Sequence, residues 1–498
     1  MKKTFKRFLS VFLAVLMVIT VIPMGVYAAE AEETEAVQVS ELEESRDLYS
    51  KTYETSEDTN VVISAAVPLH YEENGELKDI DNTLVKSEED SSVLTNKANA
   101  YNVELPNKYT DDSEIKVDYK DNSISFKLLN AVKSSKGDVT EIEKVDVDES
   151  DAESVAYAES NLDILSSSIT YSNIIEKTDV EYIVEPNQLK ENIIINDVVD
   201  ENYSVSYELN LSNLTVVKNN NNSISITDSD NNEVYLIETP YMFDTNHNVS
   251  YDIAVDLEKI NDTYILTYTP NYEWLSSNDC AYPVTIDPTI KINSNDNESI
   301  EDTFIDNEDI YAVNSNLDYA CIQNLNENDE KIAFFKINSL PNFGFSNSII
   351  NASFNFTIIS DVENEDENKN FLSLYTLNNC STDDLDDNFI KNLSLNSFNN
   401  SNLELKENMS DIISFYNESP QQYSFNITNI VNEWNKNEKI PRILAIRATE
   451  TTDYIEIASN CYDNYSQIPY ITVEYLSNSG INENSTYISQ NLDMAGIS

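Results

Sequence analysis

Acidic side chains are the residues of this sequence best placed for chemistry. Two clusters stand out: Asp302, Asp306 and Asp309, then Asp361, Glu363, Glu365 and Asp366. Carboxylates this close together, helped by backbone oxygens, are the hard oxygen ligands that Ca²⁺ takes. Neither cluster follows the EF-hand spacing, so solvated acidic loops are the plainer expectation, with Ca²⁺ the one ion the pattern points to. Paired carboxylates also carry out glycoside hydrolysis. Among 89 Asp and Glu residues, chance pairs abound, and that class stands only as an alternative.

Other catalytic sets lack their parts. The chain has two histidines, His70 in an apolar stretch and His247 in a polar one. His70 reads as a satisfied structural histidine. No zinc-protease motif, nucleophile elbow or Ser-His-Asp set can be assembled, and no glycine-rich phosphate loop exists. Cys280, Cys321, Cys380 and Cys461 are widely spaced, without a CxxC pair. Four cysteines permit three pairings; one bridge within the carboxy-terminal region is open, and isolated thiols are the simpler reading. No catalytic residue is assigned, and a non-enzymatic protein is expected.

Composition narrows the partners. The net charge of −59 over 498 residues repels nucleic acid and anionic membranes. Solubility and a composition rich in Asn, Asp, Glu, Ile and Tyr account for the acidity, as an AT-rich genome would produce. Residues 1–28 read as a signal peptide. Lys2, Lys3, Lys6 and Arg7 precede an apolar run from Phe8 to Ile22, and Val26 and Ala28 stand at −3 and −1 of a cut before Ala29. The mature chain is therefore expected outside the cell, with no membrane insertion after cleavage.

The elements that would hold any site are strands. Residues 29–60 are acidic and read as a disordered lead-in. From Val61 onward short β-branched and aromatic runs alternate. Ile124, Phe126 and Leu128 share one face, and Ser223–Thr227 and Val234–Ile237 flank the turn residues Asp228–Asn232. Residues 132–160 read as an acidic surface loop. With only six glycines, Asn and Asp must supply most turns. Pro283 and Pro288 bracket the run Val284–Asp287, which reads as the last strand of a first domain, 61–290. The polar run Asn293–Ser299 follows, and a second strand-rich domain spans 295–476 with one short helix. There Thr428 is placed to cap, and Ile430, Val431 and Trp434 share a face. Trp434 reads as a buried anchor rather than a sugar platform. The fold class is all-β, two tandem sandwich or jelly-roll domains, with a polar tail at 477–498.

These runs, taken in order, resemble a known family. The junction Tyr282–Thr289 is similar to that of secreted Gram-positive wall-associated RHS/YD-repeat proteins, just before their DNRLRE domain. Upstream, Val67–Tyr71, Asp79–Leu84, Lys190–Ile194, Thr239–Asp244 and Trp274–Leu275 resemble the family's amino-terminal region. Downstream, Asp302–Ile305, Lys331–Ile337, Phe425–Trp434 and Ile468–Tyr475 look like DNRLRE strands and helix. Gly480–Asn484 and Tyr487–Gly496 resemble the segment before the YD-repeat shell; no YD repeat, toxin domain or anchoring motif is read after it. The resemblance implies a wall-associated protein whose carboxy-terminal sandwich, similar to carbohydrate-binding modules, contacts cell-wall or extracellular polysaccharide. The alternatives are a truncated delivery head of a contact-dependent toxin and a polysaccharide-degrading enzyme.

Overall fold

The computed structural model describes residues 36–476, apart from 130, 132–133, 141–146, 247, 262, 293–297, 316, 327–328, 341–347, 361–369, 379, 383–384, 386–387, 402, 416–419, 449–451 and 463. The expected signal peptide, the polar tail, His247 and the cluster Asp361/Glu363/Glu365/Asp366 lie outside the described residues. Within them the fold is all-β, as the alternation implies, with four short helices.

Among the described residues two large hydrophobic cores organise the molecule, with two smaller clusters beside them. One core is enclosed by an eight-stranded and an eleven-stranded sheet, drawn from residues 81–292. The strand Asn122–Leu129 buries Ile124, Phe126 and Leu128 on alternate positions, as a period of two requires. Phe126 meets Tyr182 of the facing sheet with ring centroids 5.9 Å apart. Turns are built largely on asparagine: seven of the ten non-glycine residues with positive φ among the described residues are Asn. In the turn after Ser223–Thr227, Asp228 accepts from the backbone N–H of Asp230 and Asn232, and Asn231 sits at φ 65°.

The second core departs from the sequence expectation. Its sheet has thirteen strands, and the carboxy-terminal strand Tyr470–Leu476 lies inside it, between Ile349–Ile358 and Thr59–Ala65. Residues 36–60 are therefore not a disordered lead-in. Val39–Glu41, Ser50–Thr55 and Thr59–Ala65 form a three-stranded extension of that sheet. The last of these strands is buried at every position. The polar, acidic wording of 36–58 suggested mobility, but only strand pairing with a segment over 400 residues away could reveal its order. The core also takes in Ala156, Tyr157, Leu162 and Leu165, so the segment 132–160 is not wholly a loop.

The helix Ala152–Glu159 inside that segment is fixed locally and from a distance. Asp151 in extended geometry accepts from Ser154 N at 2.8 Å, a standard amino-terminal cap. Tyr157 stacks on Tyr470 at 4.4 Å and donates to the Ser466 carbonyl at 2.6 Å. Asp151→Ala is expected to cost about 1 kcal/mol, read as a lower denaturant midpoint with an unchanged slope.

Among the described residues of 300–476 there are two α-helices rather than one, Leu395–Asn400 and Thr428–Lys436. Ile430, Val431 and Trp434 of the latter are buried, and Trp434 is 2% exposed, so it is an anchor. Thr428 does not cap. It opens the helix, and its hydroxyl accepts from Ala352 N at 2.9 Å, tying the helix to the sheet.

Candidate functional site

A polar cleft of about 210 Å³ opens between the outer face of the eleven-stranded sheet and Glu298, Asp318 and Cys461. Its floor is the strand Gln188–Ile195, which is buried almost throughout. The reason is its register. Leu189, Glu191, Ile193 and Ile195 point into the first core, so Gln188, Lys190 and Asn192 lie on the other face, where Asn192 donates to Glu181 and Lys190 reaches Asp318.

A buried lysine therefore needs counter-charges, and the cleft supplies them. Lys190 Nζ lies 2.8 Å from Asp318 Oδ1 and 3.6 Å from Asp287 Oδ2. Thr289 donates to Asp287 Oδ1 at 2.6 Å and the Tyr241 hydroxyl to Oδ2 at 3.3 Å. Burial pushes the Tyr241 hydroxyl far above its ordinary range, so it stays a donor. On the rim, Lys291 pairs with Glu238 at 3.0 Å and reaches Glu298 at 4.0 Å. Burial alone would lower its pKa, but Glu238 and Glu298 hold it well above the usual value. Tyr251 completes the wall: its ring is 6.1 Å from that of Tyr241, and the residue is 57% exposed. Gln188 and Asn221 add side-chain amides to the lining. An exposed ring beside fixed donors and acceptors suits a polyhydroxylated ligand, whose C–H face packs on the ring while its hydroxyls meet the polar groups.

The Ca²⁺ candidates Asp302, Asp306 and Asp309 do not form a metal-holding group among the described residues. Asp302 and Asp306 lie on the single strand Ile300–Asp306, four residues and so roughly 13 Å apart. Asp302 is buried and accepts from Asn460 N at 2.7 Å; burial pushes its carboxyl well up. Asp306 pairs with Lys331 at 2.6 Å, and Asp309 accepts from Tyr311 N at 3.2 Å. Each carboxylate has a local task. Among the described residues, one trio could hold an ion, Glu41, His70 and Asp79, elsewhere in the fold. No disulfide joins the four cysteines. The cleft residues carry little sequence signal; a lysine inside a β-branched strand run, Lys190, was the one clue available.

No family model matches the chain. It is 22% identical over 344 residues to "tRNA nuclease WapA" of Bacillus subtilis (strain 168), a match covering 61% of this chain and 14% of that protein. The "tRNA3(Ser)-specific nuclease WapA" of Bacillus spizizenii matches at 22% over 341 residues, again 61% and 14%. The chain thus spans about 14% of the length of the curated relatives it matches. Among solved structures, the N-terminal domain of the Streptococcus gordonii adhesin Sgo0707 aligns over 89% of this chain and 84% of that one, with 8% identity and a TM-score of 0.11, too loose to bear on the fold. The WapA match agrees, as a distant likeness, with the RHS-type resemblance carried by the sequence. Among the described residues, no helix is long and apolar enough to cross a membrane.

Proposed function

We propose that the chain is a secreted, cell-wall-associated binding protein that grips polysaccharide at this polar cleft, rather than an enzyme. The observation that carries the reading is the exposed Tyr251 ring set beside Tyr241 and the buried Lys190–Asp287–Asp318 network. Asp287 and Glu238 are each held by a lysine, an arrangement that orients hydroxyls rather than delivers protons. The site takes its lining from residues 188–291 as well as from Glu298, Asp318 and Cys461, so the proposed ligand role extends beyond the carboxy-terminal sandwich. A chain of net charge −59 favours neutral or cationic glycans over anionic wall polymers.

The test is binding of the full chain to a glycan array and to isolated peptidoglycan. Saturable binding to one glycan class is expected, and Tyr251→Ala should weaken it about tenfold, the loss of roughly 1–1.5 kcal/mol of aromatic contact. Wild-type-like binding by a folded Tyr251→Ala variant would overturn the site, and no saturable binding would overturn the function.

The likeness to WapA favours a second reading, in which the chain is the delivery head of a contact-dependent toxin. On that reading any tRNA cleavage belongs to other segments of a longer protein. Hydrolysis of tRNA by the purified chain would exclude it.

A further inference from the structure

Glu41, His70 and Asp79 come from three strand ends that the amino-terminal extension gathers. His70 and Asp79 are paired residues of the hairpin His70–Glu73/Glu76–Asp79, and Glu41 closes the edge strand Val39–Glu41. The ring of His70 is held in one tautomer. Its Nδ1 lies 2.6 Å from the Asp47 carbonyl oxygen, which can only accept, so Nδ1 carries the proton. Nε2 then presents a bare lone pair. It is fully buried, makes no hydrogen bond, and faces Asp79 Oδ1 at 3.5 Å and Glu41 Oε1 at 3.9 Å. A bare lone pair this close to two carboxylate oxygens leaves three donor atoms facing one another, an arrangement that a shared cation would satisfy.

We propose that Glu41, His70 and Asp79 form a binding site for one divalent ion that takes an imidazole nitrogen together with carboxylate oxygens, Zn²⁺ being the probe. The three donor atoms lie within 4.8 Å of one another. Tetrahedral ligands about 2.0–2.2 Å from such an ion stand roughly 3.3–3.5 Å apart, so the site closes by small side-chain rotations. Nitrogen in the set favours Zn²⁺ over Ca²⁺. The Nδ1–H to carbonyl bond is the outer support that metal-binding histidines use. Asp79, 47% exposed, gives the ion its route from solvent.

Two cations already face the site. Arg46 clamps Glu41 through Nε at 2.7 Å and Nη2 at 2.9 Å, and reaches Asp79 Oδ2 at 3.1 Å. Lys51 Nζ lies 2.6 Å from Asp79 Oδ1, the oxygen nearest Nε2, and 3.3 Å from the Ser160 carbonyl. Lys51 is thus the direct competitor, and it has a second acceptor to withdraw to. This gives the proposal an unusual signature: removing a lysine must strengthen cation binding.

The experiment uses the full chain, stripped with EDTA and with accessible thiols alkylated, titrated with Zn²⁺ by calorimetry at physiological salt. One saturable event is expected above diffuse binding to surface acids. His70→Gln should weaken it at least tenfold and Lys51→Met should tighten it at least tenfold. Saturating Zn²⁺ should raise the melting temperature of the wild type and not of His70→Gln. Should His70→Gln fail to fold, Asp79→Asn, on a half-exposed position, serves in its place. The proposal is overturned if no saturable event occurs, if neither His70→Gln nor Asp79→Asn weakens it, or if Lys51→Met leaves affinity unchanged.

Discussion

Expressed by itself, the segment 295–476 is expected not to fold cooperatively, whereas the chain from residue 36 should. Its last strand, Tyr470–Leu476, pairs along its whole length with Thr59–Ala65. Removing that neighbour leaves a row of backbone donors and acceptors without partners in the middle of a sheet. It also strips Val61, Val62 and Ile63 from the core, each at most 1% exposed. At about 2 kcal/mol for each such side chain the loss is on the order of 6 kcal/mol, within the whole net stability of a typical domain. Leu69, Ala156, Tyr157 and Leu162 belong to the same core and would be missing too. Thermal unfolding followed by near-ultraviolet circular dichroism separates the outcomes. A sharp transition for 295–476 equal to that of the full chain would show that the amino-terminal strands are ornamental.

Glu191→Gln is expected to stabilise the protein at neutral and higher pH and to flatten part of its pH dependence. Glu191 points into the first core, 4% exposed, and its Oε1 makes no hydrogen bond. Burial pushes its carboxyl from 4.5 up to about 7, offset in part by the hydroxyls of Tyr182 and Tyr207, while Asp287 adds to the rise. A carboxyl whose pKa is raised by folding favours the folded state in its neutral form. Its contribution is complete below 4.5 and is lost as pH rises through about 7. A rise from 4.5 to about 7 is worth on the order of 3 kcal/mol to the neutral form. The acidic surface also gains stability near the isoelectric point of about 4.1, so the difference between variant and wild type, rather than either profile alone, isolates Glu191. A difference that stays constant from pH 5 to pH 8.5 would refute the assignment.

Much of this architecture was legible in single stretches of chain. Ile124, Phe126 and Leu128 announce their face by spacing alone, because a strand's side chains alternate whatever surrounds it. Ile430, Val431 and Trp434 announce theirs by helical spacing. The asparagine-rich turns follow from a chain with six glycines, since asparagine tolerates left-handed geometry best among the rest. Asp302 and Asp306 show that proximity in sequence is not convergence: an extended strand carries its residues apart at about 3.3 Å each.

What the chain alone determined, then, was the all-β class, the alternating faces, the turn chemistry and the strongly acidic surface, all of which depend on neighbours a few residues away. What only the tertiary structure decided was which distant strands pair. The union of Thr59–Ala65 with Tyr470–Leu476 turned a polar lead-in into core, and the register of Gln188–Ile195 sent Lys190 to the cleft and Glu191 to the interior. The same long-range gathering set His70 against Glu41 and Asp79. Such contacts are selected by the burial of whole faces against one another, and no local spacing encodes the partner.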